Sequence, residues 1–195
     1  MKALTTAILL ATTLPNVSFA RDASELQCLD ALETSAVGSV AFQVAHGGGP
    51  SLEAFGRMIQ AKAKPCLDRY RWNGAVGDAA GRYFETIVMR DYLATELGKR
   101  DGALDRINMS VANMPADRRD RLISKALTSA DKQWMRDEIR AAGLTTDATD
   151  LEMGTMYMLF SVRAPRMIEI WKTLWALLEM GKYPGPNIAA LAAGV

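Results

Sequence analysis

Five groups of residues in this chain carry side chains and spacings that could do chemistry. His46-Gly47-Gly48-Gly49 matches a string whose backbone N–H groups can hold an oxyanion. That use requires a nucleophile elbow, Gly-x-Ser-x-Gly, on a strand-to-helix turn, and the chain has none. His46 is also the sole histidine, so it would have to serve as motif and base at once. Chain reversal through glycines is the simpler reading.

Met153, Met156 and Met158 stand close together, with Met167 further on, among 11 methionines. Thioethers are soft ligands for Cu(I), so a methionine-based copper site is one expectation. The alternative is core filling, which the flexible thioether does well. Glu33, Glu85, Asp91 and Glu152 border apolar stripes and are the carboxyls a helical hydrolase of cell-wall glycan could use. Such an enzyme needs one acid protected from water, and no pair is marked out by spacing. Arg69-Tyr70-Arg71-Trp72-Asn73 mixes cations with aromatics; it suits a small contact surface, or one anchored aromatic with arginines lying over it. Cys28 and Cys66 complete the list. One His and two Cys are too few for the usual zinc sites, and no cofactor motif appears.

Composition narrows the function further. The 195 residues are 49% hydrophobic and 23% charged, with 23 Lys+Arg against 22 Asp+Glu. This is ordinary globular usage, and near-neutrality argues against nucleic acid as a partner. Lys2 is the first charge, an apolar stretch runs to Leu14, and Ser18-Phe19-Ala20 offers small residues at a cleavage site. Residues 1–20 are expected to be a cleaved secretory signal, too short in its apolar part to span a bilayer. Loss of Lys2 then leaves acids and bases equal in number, in a periplasmic or secreted product with no transmembrane segment. Residues 21–195 are expected to form a single α-helical domain.

The elements that must position these residues are helical throughout. Leu26, Leu29, Leu32, Ala36, Val40 and Val44 form one stripe, ended by the glycine turn at 47–49. A second helix, capped by Ser51, carries Phe55, Ile59, Ala63 and Cys66, with Pro65 expected to kink or restart it. In an antiparallel hairpin, residues equally distant from the turn lie side by side. Gly47 is the midpoint of Cys28 and Cys66, so an exported chain should bridge them.

A third helix is expected over residues 76–97, with Gly77 and Gly81 as a bare face for close packing on a neighbour. Asp101, Pro115 and Ser129 start three shorter ones, and Arg118, Arg119, Arg121 and Lys125 read as a solvated face. A last helix begins at Thr146 or Asp147, bends or breaks at Pro165, and resumes with an apolar arc that includes Trp171 and Trp175. The tail after Pro186 either frays or docks.

The expectation is thus an all-α bundle of about six or seven helices with a disulfide-stapled N-terminal hairpin. With no catalytic constellation, its function is read as non-enzymatic: an interaction, structural or binding module of the cell envelope. Its partner would be an unidentified protein or small molecule. A wide cleft lined by Trp72, Tyr157, Trp171 or Trp175 would favour a small-molecule or glycan ligand.

Overall fold

The computed structural model describes residues 23–72, 74–124, 126–144 and 148–179. The expected signal at residues 1–20, Asn73, Lys125, the helix start at Thr146 or Asp147, and the tail lie outside the described residues. Eight α-helices and no strand occur among the described residues. A 3-10 turn, Ala23–Leu26, leads into α1, Gln27–Asp30, followed by α2, Ser35–Ala45, and α3, Leu52–Tyr70. Then come α4, Gly74–Gly98; α5, Ala103–Ala112; α6, Ala116–Ile123; α7, Ser129–Ala141; and α8, Ala148–Glu179.

The two longest helices form the axis. Arg100, just past α4, meets Asp150 at the start of α8 at 2.9 Å. At the other end Trp72, just before α4, meets Trp171 of α8 edge-on with ring centroids 5.8 Å apart. The pair is therefore antiparallel. Phe84, Ile87, Val88, Leu93 and Leu97 of α4 and Met158 and Trp171 of α8 are fully enclosed between them and their neighbours. Burying such side chains contributes about 1.5–3 kcal/mol each relative to exposure.

Cys28 and Cys66 are bonded, with Cα atoms 5.9 Å apart. The first stripe, however, is not one helix. It breaks between Asp30 and Ser35, where the Glu33 carboxylate accepts hydrogen bonds from both the backbone N–H and the hydroxyl of Ser35. A side chain that satisfies the free N–H at a helix start competes with continuing the helix before it. The break also shifts the buried face, so Val37, Gly38 and Ala41 turn inward while Ala36 is exposed. The disulfide thus joins a separate short helix to α3.

Pro65 and Pro165 interrupt neither α3 nor α8. Both prolines are exposed, so water can reach the carbonyl four residues earlier that has lost its N–H partner. Ser51 caps α3 as its spacing predicts, accepting from the Ala54 N–H at 3.2 Å. Gly102, in the left-handed region at φ 65°, starts α5 in place of Asp101, and Thr128 caps α7 in place of Ser129.

The arginine cluster also departs from expectation. Asp131 is completely buried, and Arg118 Nε reaches its Oδ1 at 3.0 Å while Arg121 Nε reaches its Oδ2 at 2.8 Å. The Thr128 hydroxyl donates to the same carboxylate at 2.7 Å, and Arg118 lies 4.6 Å from the centre of the Trp134 ring. These bonds pull the Asp131 pKa far below the usual carboxylate range, Arg121 first and Thr128 next. Removing the acid would leave two arginines crowded together at the α6–α7 junction. Asp131→Asn should lower the melting temperature by on the order of 10 °C, measured by circular dichroism. A group with a depressed pKa stabilises above its unfolded value and loses that effect as pH falls. The gap between wild type and variant should therefore stay constant above about pH 4 and narrow progressively as the pH falls below it. A constant gap from pH 3 to pH 7 would exclude this role.

Candidate functional site

α3 and α4 run antiparallel from the turn at Arg71 and Trp72, and a solvent-open groove of about 1010 Å³ lies between them. Its α3 wall includes Phe55, Gly56, Ile59, Ala63 and Leu67; its α4 wall includes Gly74, Gly77, Gly81 and Glu85. The groove exists because small residues line both walls where larger ones would fill it. A Cβ built on Gly56 or on Gly81 would have no atom of the described residues within 4 Å, apart from the helix's own backbone. The expected close-packing face at Gly77 and Gly81 is thereby corrected. Among the described residues Gly77 meets only the Trp72 carbonyl, 3.1 Å from an added Cβ, and Gly81 packs against none. Spacing tells which residues share a helix face, but not what stands opposite.

The glycines that do permit close approach were not singled out by spacing. An added Cβ on Gly38 would stand 2.5 Å from Tyr92 Cβ, where α2 lies on α4. One on Gly154 would stand 2.8 Å from Ile139 Cγ1, where α8 meets α7.

The groove floor is apolar. Phe55, Ile59, Ala63 and Trp72 are buried, and the Trp72 indole donates to Glu25 at 3.0 Å. Tyr70 stacks on Trp72 at 5.2 Å and Arg69 lies over the Tyr70 ring, so this run is one anchored aromatic with a single cation lying against its neighbour. The rims are charged with both signs. Lys64 pairs with Asp68 at 2.9 Å and Arg57 with Glu53 at 2.6 Å on α3, while α4 contributes Asp78, Arg82 and Glu85. Glu85 stands exposed at the rim. Crowding by the helix surfaces raises its pKa by desolvation, and Arg82 pulls it back down.

The remaining carboxyl candidates are scattered. Glu33 holds Ser35 and lies 3.6 Å from Lys62; the Ser35 bonds lower its pKa, the reverse of what a proton donor needs. Asp91 accepts from its neighbour Arg90 at 2.8 Å. Glu152 pairs with His46 at 2.8 Å, at the junction of α2 and α8. Nothing brings two of the four together as a catalytic pair.

His46 follows α2 directly rather than sitting in an oxyanion-binding loop. Its Nδ1 lies 2.6 Å from the Phe42 carbonyl, which can only accept, so Nδ1 carries a proton. The contact with Glu152 then favours a proton on Nε2 as well. The Phe42 bond raises the His46 pKa most, and Glu152 adds to it against partial desolvation. A raised histidine pKa means the contribution is fully present below about pH 6.5 and is lost as pH rises through the folded-state value. NMR titration of the lone histidine should show a midpoint above 6.5 that falls in Glu152→Gln. An unchanged midpoint in that variant would remove the pair from the account.

Met153, Met158 and Met167 are buried in the core and Met156 is half-buried. Among the described residues no group of three or more His, Cys, Asp or Glu could hold a metal ion. The four aromatics expected at a cleft do not share one. Tyr157 is buried and donates to Asn108 at 2.6 Å, Trp171 is enclosed, and Trp175 stacks on Trp171. Only Trp72 reaches the groove.

The class these features define is an α-helical, disulfide-bonded bundle with one large two-helix groove. No family model, curated protein or solved structure matches the chain. Among the described residues no helix is long and apolar enough to cross a membrane.

Proposed function

We propose that this chain is an exported, non-enzymatic binding module of the cell envelope whose α3–α4 groove accepts a short apolar polypeptide segment. The observation that carries this reading is the bare backbone at Gly56 and Gly81, facing open space from the two walls of one groove. Glycine on a wall lets another backbone approach more closely than any side chain would allow, which is how an amphipathic segment is seated between helices. Leu52, 77% exposed, and half-buried Leu67 supply the open apolar area of the lining, while rim charges of both signs set register more than affinity. Eleven residue steps separate Gly74 from Glu85, giving a seat about 16 Å long, suited to two or three helical turns.

Export is supported by the Cys28–Cys66 bond, which persists in oxidising compartments. An intact mass beginning after Ala20, with no free thiol, is the expected result for natively produced material.

The groove itself is tested by a photo-crosslinking residue placed at Gly81, with Met109, 59% exposed and on α5, as the control position. A discrete polypeptide adduct from Gly81 and none from Met109 is expected in the producing cell. The same adducts from both, or no polypeptide linked at Gly81, would refute the reading.

A further inference from the structure

A cavity of about 440 Å³ opens between α5 and α7, and none of its lining residues comes from α3 or α4. It holds two opposite charges that do not meet. Arg106 of α5 and Glu138 of α7 both line it, yet neither has an ion-pair partner among the described residues. We propose that this cavity binds a free amino acid with an apolar side chain. The ligand's carboxylate pairs with Arg106, its ammonium group with Glu138, and its side chain packs on Trp134. The site is separate from the α3–α4 groove and stands whether or not a polypeptide binds there.

Three observations carry it. The first is the order of groups along the cleft. Arg106 Nη1 lies 3.3 Å from a Cβ built on Gly143, just past the end of α7, and the Ser110 hydroxyl donates to Glu138. Residue numbers therefore rise along α5 as they fall along α7, and the two helices are antiparallel. Arg106 stands at one end, Glu138 about 6 Å further in, and Trp134 about one helical turn beyond that. An α-carbon bearing both charges, with a hydrogen bond of about 3 Å on either side, bridges the first step. Its side chain has the second step to occupy.

The second is what keeps the charges apart. The Arg106 guanidinium lies against two glycines in the left-handed region, Gly102 at φ 65° and Gly143 at φ 80°. Their bare backbones give it a resting place away from Glu138. The Glu138 side chain is held by Ser110, and a carboxylate that accepts one hydroxyl keeps sites for an ammonium group. Two fixed charges of opposite sign, each with unmet capacity, match a ligand that carries both.

The third is the apolar end. Trp134 is half-buried, and Arg118, itself tied to Asp131, lies 4.6 Å from its ring centre and steadies it. Met109, 59% exposed, and Pro115 line the same cavity. Covering them with a ligand's apolar side chain removes that area from water. A ligand with only one of the two charges leaves the other protein group unpaired, at a cost of about tenfold in affinity.

The test is an NMR titration of the full chain, followed at the Trp134 indole N–H, with L-phenylalanine, phenylpropionate and phenethylamine as probes. The second lacks the ammonium group and the third lacks the carboxylate. L-Phenylalanine is expected to bind at least tenfold more tightly than either. Arg106→Gln should weaken L-phenylalanine and phenylpropionate and leave phenethylamine unchanged. Glu138→Gln, which keeps an acceptor for Ser110, should weaken L-phenylalanine and phenethylamine and leave phenylpropionate unchanged. A general loss of folding cannot produce that crossed pattern. Ala141→Trp, at an exposed position on the cavity wall, should block all three probes. No shift at Trp134 with L-phenylalanine at millimolar concentration would overturn the site. Equal affinity for the three probes, or a charge variant that weakens all of them alike or none of them, would overturn it as well.

Discussion

Replacing Cys28 and Cys66 together by alanine is expected to cost about 4 kcal/mol of stability and to lower the melting temperature by roughly 10 °C. The two residues are 38 apart in sequence, and a loop of that size carries a large closure entropy in the unfolded chain. The bond also does something local. It ties α1, a helix of four residues, to the middle of the bundle through Cys66, which is completely buried. So short a helix is not stable by itself, because its hydrogen bonds hardly repay nucleation. Leu26 and Leu29, both buried, come inward on the same piece of chain, as does Asp30, which accepts from the Tyr83 hydroxyl at 2.8 Å. The measurement is chemical denaturation of the oxidised protein against the double variant. Loss of protection should also be concentrated at residues 23–30 by hydrogen exchange. A difference below 1 kcal/mol would mean that the bond decorates a bundle already held by packing.

The second large effect is a contrast between three glycines given the same substitution. Gly38→Ala should destabilise by on the order of 2 kcal/mol, because the new methyl would stand 2.5 Å from Tyr92 Cβ. That atom is bonded to the α4 backbone and cannot rotate away, so α2 itself has to move. Its displacement would disturb the contact between Phe42 and Tyr92, whose rings lie 5.6 Å apart. Gly154→Ala meets Cγ1 and Cδ1 of one Ile139 branch at 2.8 and 3.0 Å, and that branch can shift in part. Its cost should be smaller, since alanine regains close to 1 kcal/mol of helix propensity. Gly81→Ala meets no atom of the described residues and should stabilise by up to about 1 kcal/mol. The rank order in thermal melts, Gly81 above wild type and Gly38 lowest, is the checkable result. If Gly81→Ala destabilised as much as Gly38→Ala, the groove would not be open as described.

Much of the architecture could be read in advance from local rules. Helical periodicity, the glycine turn, the Ser51 cap and the pairing of cysteines equidistant from Gly47 all depend on residues near one another in sequence or on simple hairpin geometry. The capping box of α7 follows a local spacing too, Thr128 with Asp131, although the adjacent Ser129 is an equally good cap by residue type. The break before α2 was not, because it turns on a single carboxylate, Glu33, folding back onto Ser35. Within the candidate site, the spacing of Gly77 and Gly81 marks a bare helix face but does not say whether a neighbouring helix or open space lies against it. Gly56 and Gly38 gave no signal, because an isolated glycine in an apolar helix looks alike whether it meets solvent or a neighbouring backbone.

By itself the amino-acid order determined an all-helical chain, where most of its helices start and stop, and which two sulfurs meet. Those are matters of period, capping and chain length, and each is settled over a few residues or along one hairpin. Tertiary structure alone decided that α3 and α4 splay around a groove, that Asp131 gathers two arginines, and that His46 finds Glu152. Each of these depends on which helix face lies opposite which, at distances where packing and charge act, and residues far apart in the chain must first be brought together for that choice to exist.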